Sequence, residues 1–130
     1  MDGAGLAASA VDVLDGDTLI LQYSLEFGIA RRAHARLFGV DTAETFGRAP
    51  GTPERVAGEK QREFARAWLT AAARERAGAW PLLVEYHGAD KYGRDLVTIR
   101  RRATGESLNA ALVEAFPEVA RPARGATGSP

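Results

Sequence analysis

Apolar and polar positions change period several times along the chain, and each change marks an element. Val11-Asp12-Val13-Leu14 alternates, which predicts a strand. Asp15-Gly16 follows, a dipeptide that favours a tight hairpin turn. Thr18 to Tyr23 is rich in β-branched and aromatic residues and predicts a second strand. Leu19, Leu21 and Tyr23 share one of its faces, and Thr18, Ile20 and Gln22 the other. Ile29 to Val40 reads as a third strand, with Arg31, Arg32, His34 and Arg36 making at least one face polar. Asp41 to Gly58 carries Gly47, Pro50, Gly51, Pro53 and Gly58, which predicts a loop long enough to suggest function or mobility. Glu59 to Ala77 lacks Gly and Pro. Phe64, Trp68, Leu69 and Ala72 form one apolar side there, so an amphipathic helix is expected, with Gly78 as C-cap. Leu82 to Tyr86 and Leu96 to Arg101 predict strands four and five. Ser107 to Ala115 predicts a short helix with Ser107 as N-cap.

The resulting order is β-β-β-α-β-β-α. Five strands with a long helix between the third and fourth is the plan of a five-stranded OB-type Greek-key barrel, mainly β with helices (α+β). From Pro117 the apolar pattern fades. Residues 1–120 are therefore read as one domain, and 121–130, with Pro122, Gly125, Gly128 and Pro130, as a disordered tail. A chain of 130 residues suits a single domain.

Charge changes the picture more than composition does. Seventeen Lys and Arg balance seventeen Asp and Glu, which excludes a basic nucleic-acid coat as a bulk property but not a local patch. Cys is absent, so there is no disulfide framework and no thiolate metal site. No run of about eighteen apolar residues occurs, as a membrane-spanning helix requires. The first ten residues have no basic stretch and do not read as a signal peptide, so the chain as given is expected to be cytoplasmic. Secretion would require a targeting segment since removed.

Three short segments carry candidate chemistry. Asp15-Gly16-Asp17-Thr18 is a polar hairpin turn, and a rigid turn can also present Asp17 to a hard cation. Arg36-Leu37-Phe38-Gly39-Val40-Asp41-Thr42-Ala43-Glu44 ends a strand in two acids. It is either a polar strand end with an Asx turn or a site that sets Asp41 beside Asp17 with Arg36 aimed at an anion. Asp90-Lys91-Tyr92-Gly93-Arg94 is a hairpin loop in which Gly93 supplies a positive φ, or a loop that offers a second guanidinium and phosphate contacts. Outside these segments, His34 and His87 read as ordinary strand histidines and Trp68 as helix core. Trp80 reads as a helix-to-strand junction, and Arg100-Arg101-Arg102 as a solvated strand end.

Together, in this order, the three segments resemble the thermonuclease (staphylococcal nuclease-like) family. The likeness runs from about Val11 to Leu112 and includes Asn109-Ala110-Ala111-Leu112-Val113, similar to that family's N-x-x-L-V helix. The resemblance implies a Ca²⁺-dependent endonuclease that hydrolyses phosphodiester bonds of single-stranded and duplex DNA and of RNA, leaving 3′-phosphate ends. It implies Asp17, Asp41 and the Thr42 carbonyl as metal ligands, and Glu44 as the residue that positions water or acts as general base. Arg36 and Arg94 become the phosphate and transition-state cations, and Lys91 and Tyr92 contacts to a neighbouring phosphate.

The residue types make chemical sense without the family. A pentacoordinate phosphorus gains negative charge, which guanidiniums can meet with two prongs. Oxygen-only ligands favour Ca²⁺ or Mg²⁺. A monomer is expected. The rival is a non-catalytic OB-type module that binds nucleic acid or a protein. Retention of Asp17, Arg36, Asp41, Glu44 and Arg94 together favours the enzyme. Two departures stand out: Ala43 replaces the family's Pro, which predicts a less rigid loop, and the residues after Val119 lack aromatics. Binding is therefore expected to rest chiefly on phosphate contacts, with little preference among bases.

Overall fold

A computed structural model of the chain describes residues 5–45, 47–75 and 80–121. Its elements are β1 (Leu6–Asp15), β2 (Thr18–Ser24), β3 (Ala30–Leu37), α1 (Pro53–Glu75), β4 (Leu82–Ala89), β5 (Asp95–Arg101) and α2 (Leu108–Ala115). Short 3₁₀ turns lie at Glu26–Gly28 and Pro117–Val119. The strands close into a barrel in the order β1-β2-β3-β5-β4. All neighbours are antiparallel except β3 and β5, which run parallel. This is the OB-type barrel with helices that the element order predicts. Among the described residues no helix is long and apolar enough to cross a membrane.

Alternation decides which side chains fill the barrel. Leu19, Leu21 and Tyr23 point inward from β2 and are buried, as their shared face predicts. Ala35 and Leu37 of β3, Leu82 and Val84 of β4, and Val97 and Ile99 of β5 meet them. Each fully buried Leu or Ile contributes about 1.5–3 kcal/mol. Ala65, Trp68, Leu69 and Ala72 of α1 join the same core, and Leu108 and Leu112 of α2 complete it. The Ser107 side chain caps α2 by accepting a hydrogen bond from the Ala110 N–H at 2.9 Å. Asn109 ties the barrel from outside. Its Oδ1 accepts from the Ile99 N–H, and its Nδ2 donates to the carbonyls of Phe38 and Val97.

Three boundaries differ from expectation for physical reasons. β1 begins at Leu6 because Leu6 pairs with Val84 and Ala8 with Tyr23, so tertiary pairing overrides the weak strand propensity of a run of alanines. α1 begins at Pro53 rather than Glu59, shortening the expected loop. The Thr52 hydroxyl accepts from the Arg55 N–H, and Pro53 occupies the first turn, where its missing N–H costs nothing. Gly58 lies inside this helix, where a Cβ would meet the Ala43 carbonyl oxygen at 2.7 Å, so the glycine permits close packing rather than ending the helix.

The third boundary concerns the C-terminus. Arg121, placed at the start of the tail, is held by its backbone N–H to the Gly39 carbonyl at 2.9 Å. Residues 122–130, the rest of that tail, and Gly78 as C-cap lie outside the described residues. Arg101 is also corrected. Its side chain is only 14% exposed, lies over the Trp68 ring at 4.5 Å and pairs with Glu75 at 3.0 Å, so it is packed rather than solvated.

Candidate active site

The β1–β2 hairpin positions the first acid. Asp15 and Thr18 pair across the turn. Gly16 is required there by close approach: a Cβ would come within 2.9 Å of Thr42 Cγ2 and 3.2 Å of the Gln61 backbone. The hairpin thus sits flush against both the loop after β3 and α1. Asp17 is consequently only 4% exposed. One of its oxygens accepts from the Thr18 hydroxyl at 2.9 Å, and the other from the Thr42 N–H at 3.0 Å. Burial pushes its pKa above the usual carboxylate value. The Arg36 guanidinium and those two hydrogen bonds pull the other way without cancelling it.

Register places Arg36 opposite Thr18 on the neighbouring strand. Its Nη2 lies 3.3 Å from Asp17 Oδ2 and 2.9 Å from Asp41 Oδ1. One guanidinium nitrogen therefore bridges the two acids, and the barrel brings together residues that the chain keeps far apart. The second oxygen of Asp41 is taken by Arg121 Nη2 at 2.8 Å. Thr42 is buried, and its hydroxyl oxygen has no hydrogen-bond partner among the described residues.

A cleft of about 750 Å³ opens over this cluster. Asp17, Arg36, Asp41, Thr42, Glu44, Tyr92 and Arg94 all line it. The Glu44 side chain is 66% exposed, and its carboxylate reaches Arg48 at 3.5 Å. Arg94 is oriented by Asp90, which accepts its Nε at 2.7 Å and its backbone N–H at 2.9 Å. Burial raises the pKa of Asp90, but the N–H donors of Arg94 and Tyr92, with the Arg94 charge, outweigh it and hold the carboxyl below its usual range. Lys91 is not among the residues that line the cleft; its ammonium lies 5.3 Å from the Tyr92 ring centroid.

The supporting residues were less visible in the sequence. Gln61 is only 2% exposed. Its Oε1 accepts from the Ala43 N–H at 2.8 Å, a bond that proline at this position could not make. The loop at Ala43 is thus tied down by a hydrogen bond from α1. Asp15 accepts from both the N–H and the hydroxyl of Thr45 at 3.3 and 2.9 Å, fixing the far end of the same loop. Gln61 could have been found, because it is a polar residue on the apolar stripe that continues through Ala65, Trp68 and Ala72. Nothing in the sequence pointed to Arg121.

Among the described residues no three His, Cys, Asp or Glu side chains converge as a metal cage. The donors that do converge are the carboxylates of Asp17 and Asp41, both in contact with one Arg36 nitrogen. An oxygen-only set of this kind fits a hard divalent cation that keeps much of its own water. No known family model matches the chain, and no curated protein sequence matches it.

Proposed function

We propose that the protein is a Ca²⁺-dependent phosphodiesterase acting on DNA and RNA, a nuclease of the thermonuclease type. The observation that carries this reading is the bridging of Asp17 and Asp41 by Arg36 at the floor of a cleft that Arg94 also lines. Asp17, Asp41 and Thr42 would hold the cation, which when bound supplies positive charge to a phosphate oxygen and to nearby water.

The chain's own groups have distinct tasks in this scheme. Arg36 and Arg94 bind the non-bridging phosphate oxygens and meet the charge that grows on them, each acting from an anchored position. Asp90 holds the Arg94 side chain in place. Glu44, exposed at the cleft edge, orients the attacking water and takes its proton. Gln61 and Asp15 keep the loop that carries Asp41 and Glu44 against the barrel. Tyr92 contacts a neighbouring phosphate; Lys91 can do so only by swinging in from beside the Tyr92 ring. The bond from phosphorus to the 5′-oxygen breaks as water attacks, and that oxygen leaves with a proton from solvent, so the products carry a 3′-phosphate and a 5′-hydroxyl.

Incubation of single-stranded DNA, duplex DNA and RNA with Ca²⁺, Mg²⁺ or EDTA tests the reading, with analysis of the product ends. Cleavage with Ca²⁺ and none in EDTA is expected. Binding without cleavage under every condition would leave the non-catalytic module as the better account.

A further inference from the structure

A second concavity opens beside the cleft, at one mouth of the barrel. Its volume is about 350 Å³, within the range of small-ligand sites. Leu6, Tyr23, Val84 and Tyr86 line it, with Leu25 at the rim. Tyr86 continues the inward-facing series Leu82, Val84, Tyr86 on β4, yet it is 64% exposed. It is therefore an aromatic ring that alternation directs toward the barrel axis at a level where the barrel is open. Leu6 and Leu25 are also exposed.

Two polar residues join this mouth to the cleft, because Arg31 and Asp95 line both. Asp95 accepts a hydrogen bond from the Tyr23 hydroxyl at 2.8 Å. Burial first, then the Asp95 carboxylate, keep the Tyr23 phenol protonated far above the usual tyrosine range. Asp95 thus has an anchored carboxylate with acceptor capacity to spare.

Apolar walls, one exposed aromatic ring, one acceptor carboxylate and one cation, continuous with a phosphate-binding cleft, suit one chemical class. We propose that the barrel mouth is a nucleobase subsite, taking an unpaired base of a nucleotide further along the strand than the one being cut. This rests on the phosphodiesterase reading only for the identity of the neighbouring cleft. The base stacks on Tyr86 between the aliphatic side chains. Arg31 meets its phosphate, and Asp95 accepts from N–H groups on the base edge. Guanine, with adjacent N1–H and N2–H donors, suits a carboxylate best; thymine and uracil set carbonyl acceptors on both sides of their single N–H. A paired base cannot enter, so single strands are favoured over duplex. Base contacts would then come from the mouth of the barrel rather than from the C-terminal residues.

The test is fluorescence anisotropy of a labelled single-stranded octanucleotide carrying guanines, against an abasic strand of the same length, in EDTA so that nothing is cut. The wild type should bind the base-bearing strand about 5- to 100-fold more tightly, the range of stacking on one aromatic ring. Tyr86→Ala should remove that preference, and Tyr86→Phe should keep it. Equal binding of the two strands by the wild type, or a preference that survives Tyr86→Ala, would overturn the subsite. A dimer in light scattering that Tyr86→Ala dissolves, or tighter binding by a chain ending at Arg121, would also overturn it, by showing that the mouth is filled by a second copy or by residues 122–130. Cleavage in Ca²⁺ is measured in parallel. Cleavage without base preference defeats the subsite alone, and base preference without cleavage defeats the phosphodiesterase reading alone.

Discussion

Gln61→Leu is the most informative single change, because it separates the support of the loop from the chemistry above it. The side chain is almost completely buried, and leucine conserves much of its volume. What is lost is the 2.8 Å bond from the Ala43 N–H and the longer contact of Nε2 with Glu118 at 3.5 Å. A half-buried N–H left without a partner costs about 1–2 kcal/mol. At about 3–5 °C per kcal/mol for a domain of this size, Tm should fall by roughly 3–10 °C.

Ala43→Pro deletes the donor instead and leaves the Gln61 oxygen short of a partner. When both partners are gone neither group is stranded, so the double variant should be more stable than the summed single losses predict, by about 1 kcal/mol. Urea denaturation of the four proteins gives this coupling directly. Additivity within about 0.4 kcal/mol would show that the bond does not hold the loop.

Arg36→Ala and Arg94→Ala should each lower kcat by about 10²–10³, Arg36→Ala with a lowered Tm as well because it strands the buried Asp17 carboxylate, and Lys at either position should not restore kcat, since an ammonium lacks the two-pronged contact; kinetics on single-stranded DNA at a temperature where every variant is folded decide this, and unchanged turnover in both variants would remove the arginines from the chemistry. Between about 50 and 200 mM salt, KM for single-stranded DNA should rise roughly twentyfold if about three phosphates are contacted, whereas a flat KM would contradict capture through the backbone. Asn109→Leu should cost about 2–4 kcal/mol in urea denaturation, because it strands the Ile99 N–H and two carbonyls at the junction of β3 and β5, and a loss below about 1 kcal/mol would refute that role. In calorimetry, the Tm increase produced by Ca²⁺ should grow with pH. The raised pKa of Asp17 means that its own contribution to metal-free stability is fully present below its unfolded value near 3.8 and is lost as pH rises through the higher folded value. Ca²⁺ needs the ionised carboxylate, so its effect should increase across that same interval, and an effect independent of pH there would place the ion elsewhere.

The barrel was legible because alternation in β2 and the helical stripe of α1 are strong, mutually consistent signals. Leu19, Leu21 and Tyr23 could face only one core. Boundaries that depend on partners were not legible. The alanines of β1 become a strand only because β2 and β4 flank them, and Gly58 looks like a helix breaker until the Ala43 carbonyl is seen against it. At the site, the acids and arginines stood out as residue types at particular spacings. Their convergence is a matter of barrel closure, which no local pattern encodes. The Arg121 pairing with Asp41 was invisible for the same reason, since it depends on the chain returning past Gly39 after α2. The barrel mouth escaped notice because Tyr86 read simply as the end of a strand and Leu6 lay ahead of the first predicted one.

The charge balance of the cluster bears on the proposed role of a cation. Asp17 is nearly sealed from water, and Arg36 is its one charged partner at contact distance among the described residues. Asp41 engages Arg36 through one oxygen and Arg121 through the other. Without an anion in the cleft, the guanidiniums satisfy the acids. A phosphodiester entering the cleft competes for the same Arg36 nitrogen. If Arg36 turned to the phosphate with nothing in its place, Asp17 would be left as a buried, unpaired carboxylate, at a cost of several kcal/mol. Protonating Asp17 would avoid that cost, but at neutral pH it would remove one of the two acids that define the site. On the proposed reading, a divalent cation held by the two acids would restore the balance and leave Arg36 free for phosphate. Anion and cation binding would then be linked through one side chain, and linkage requires each to strengthen the other by the same factor.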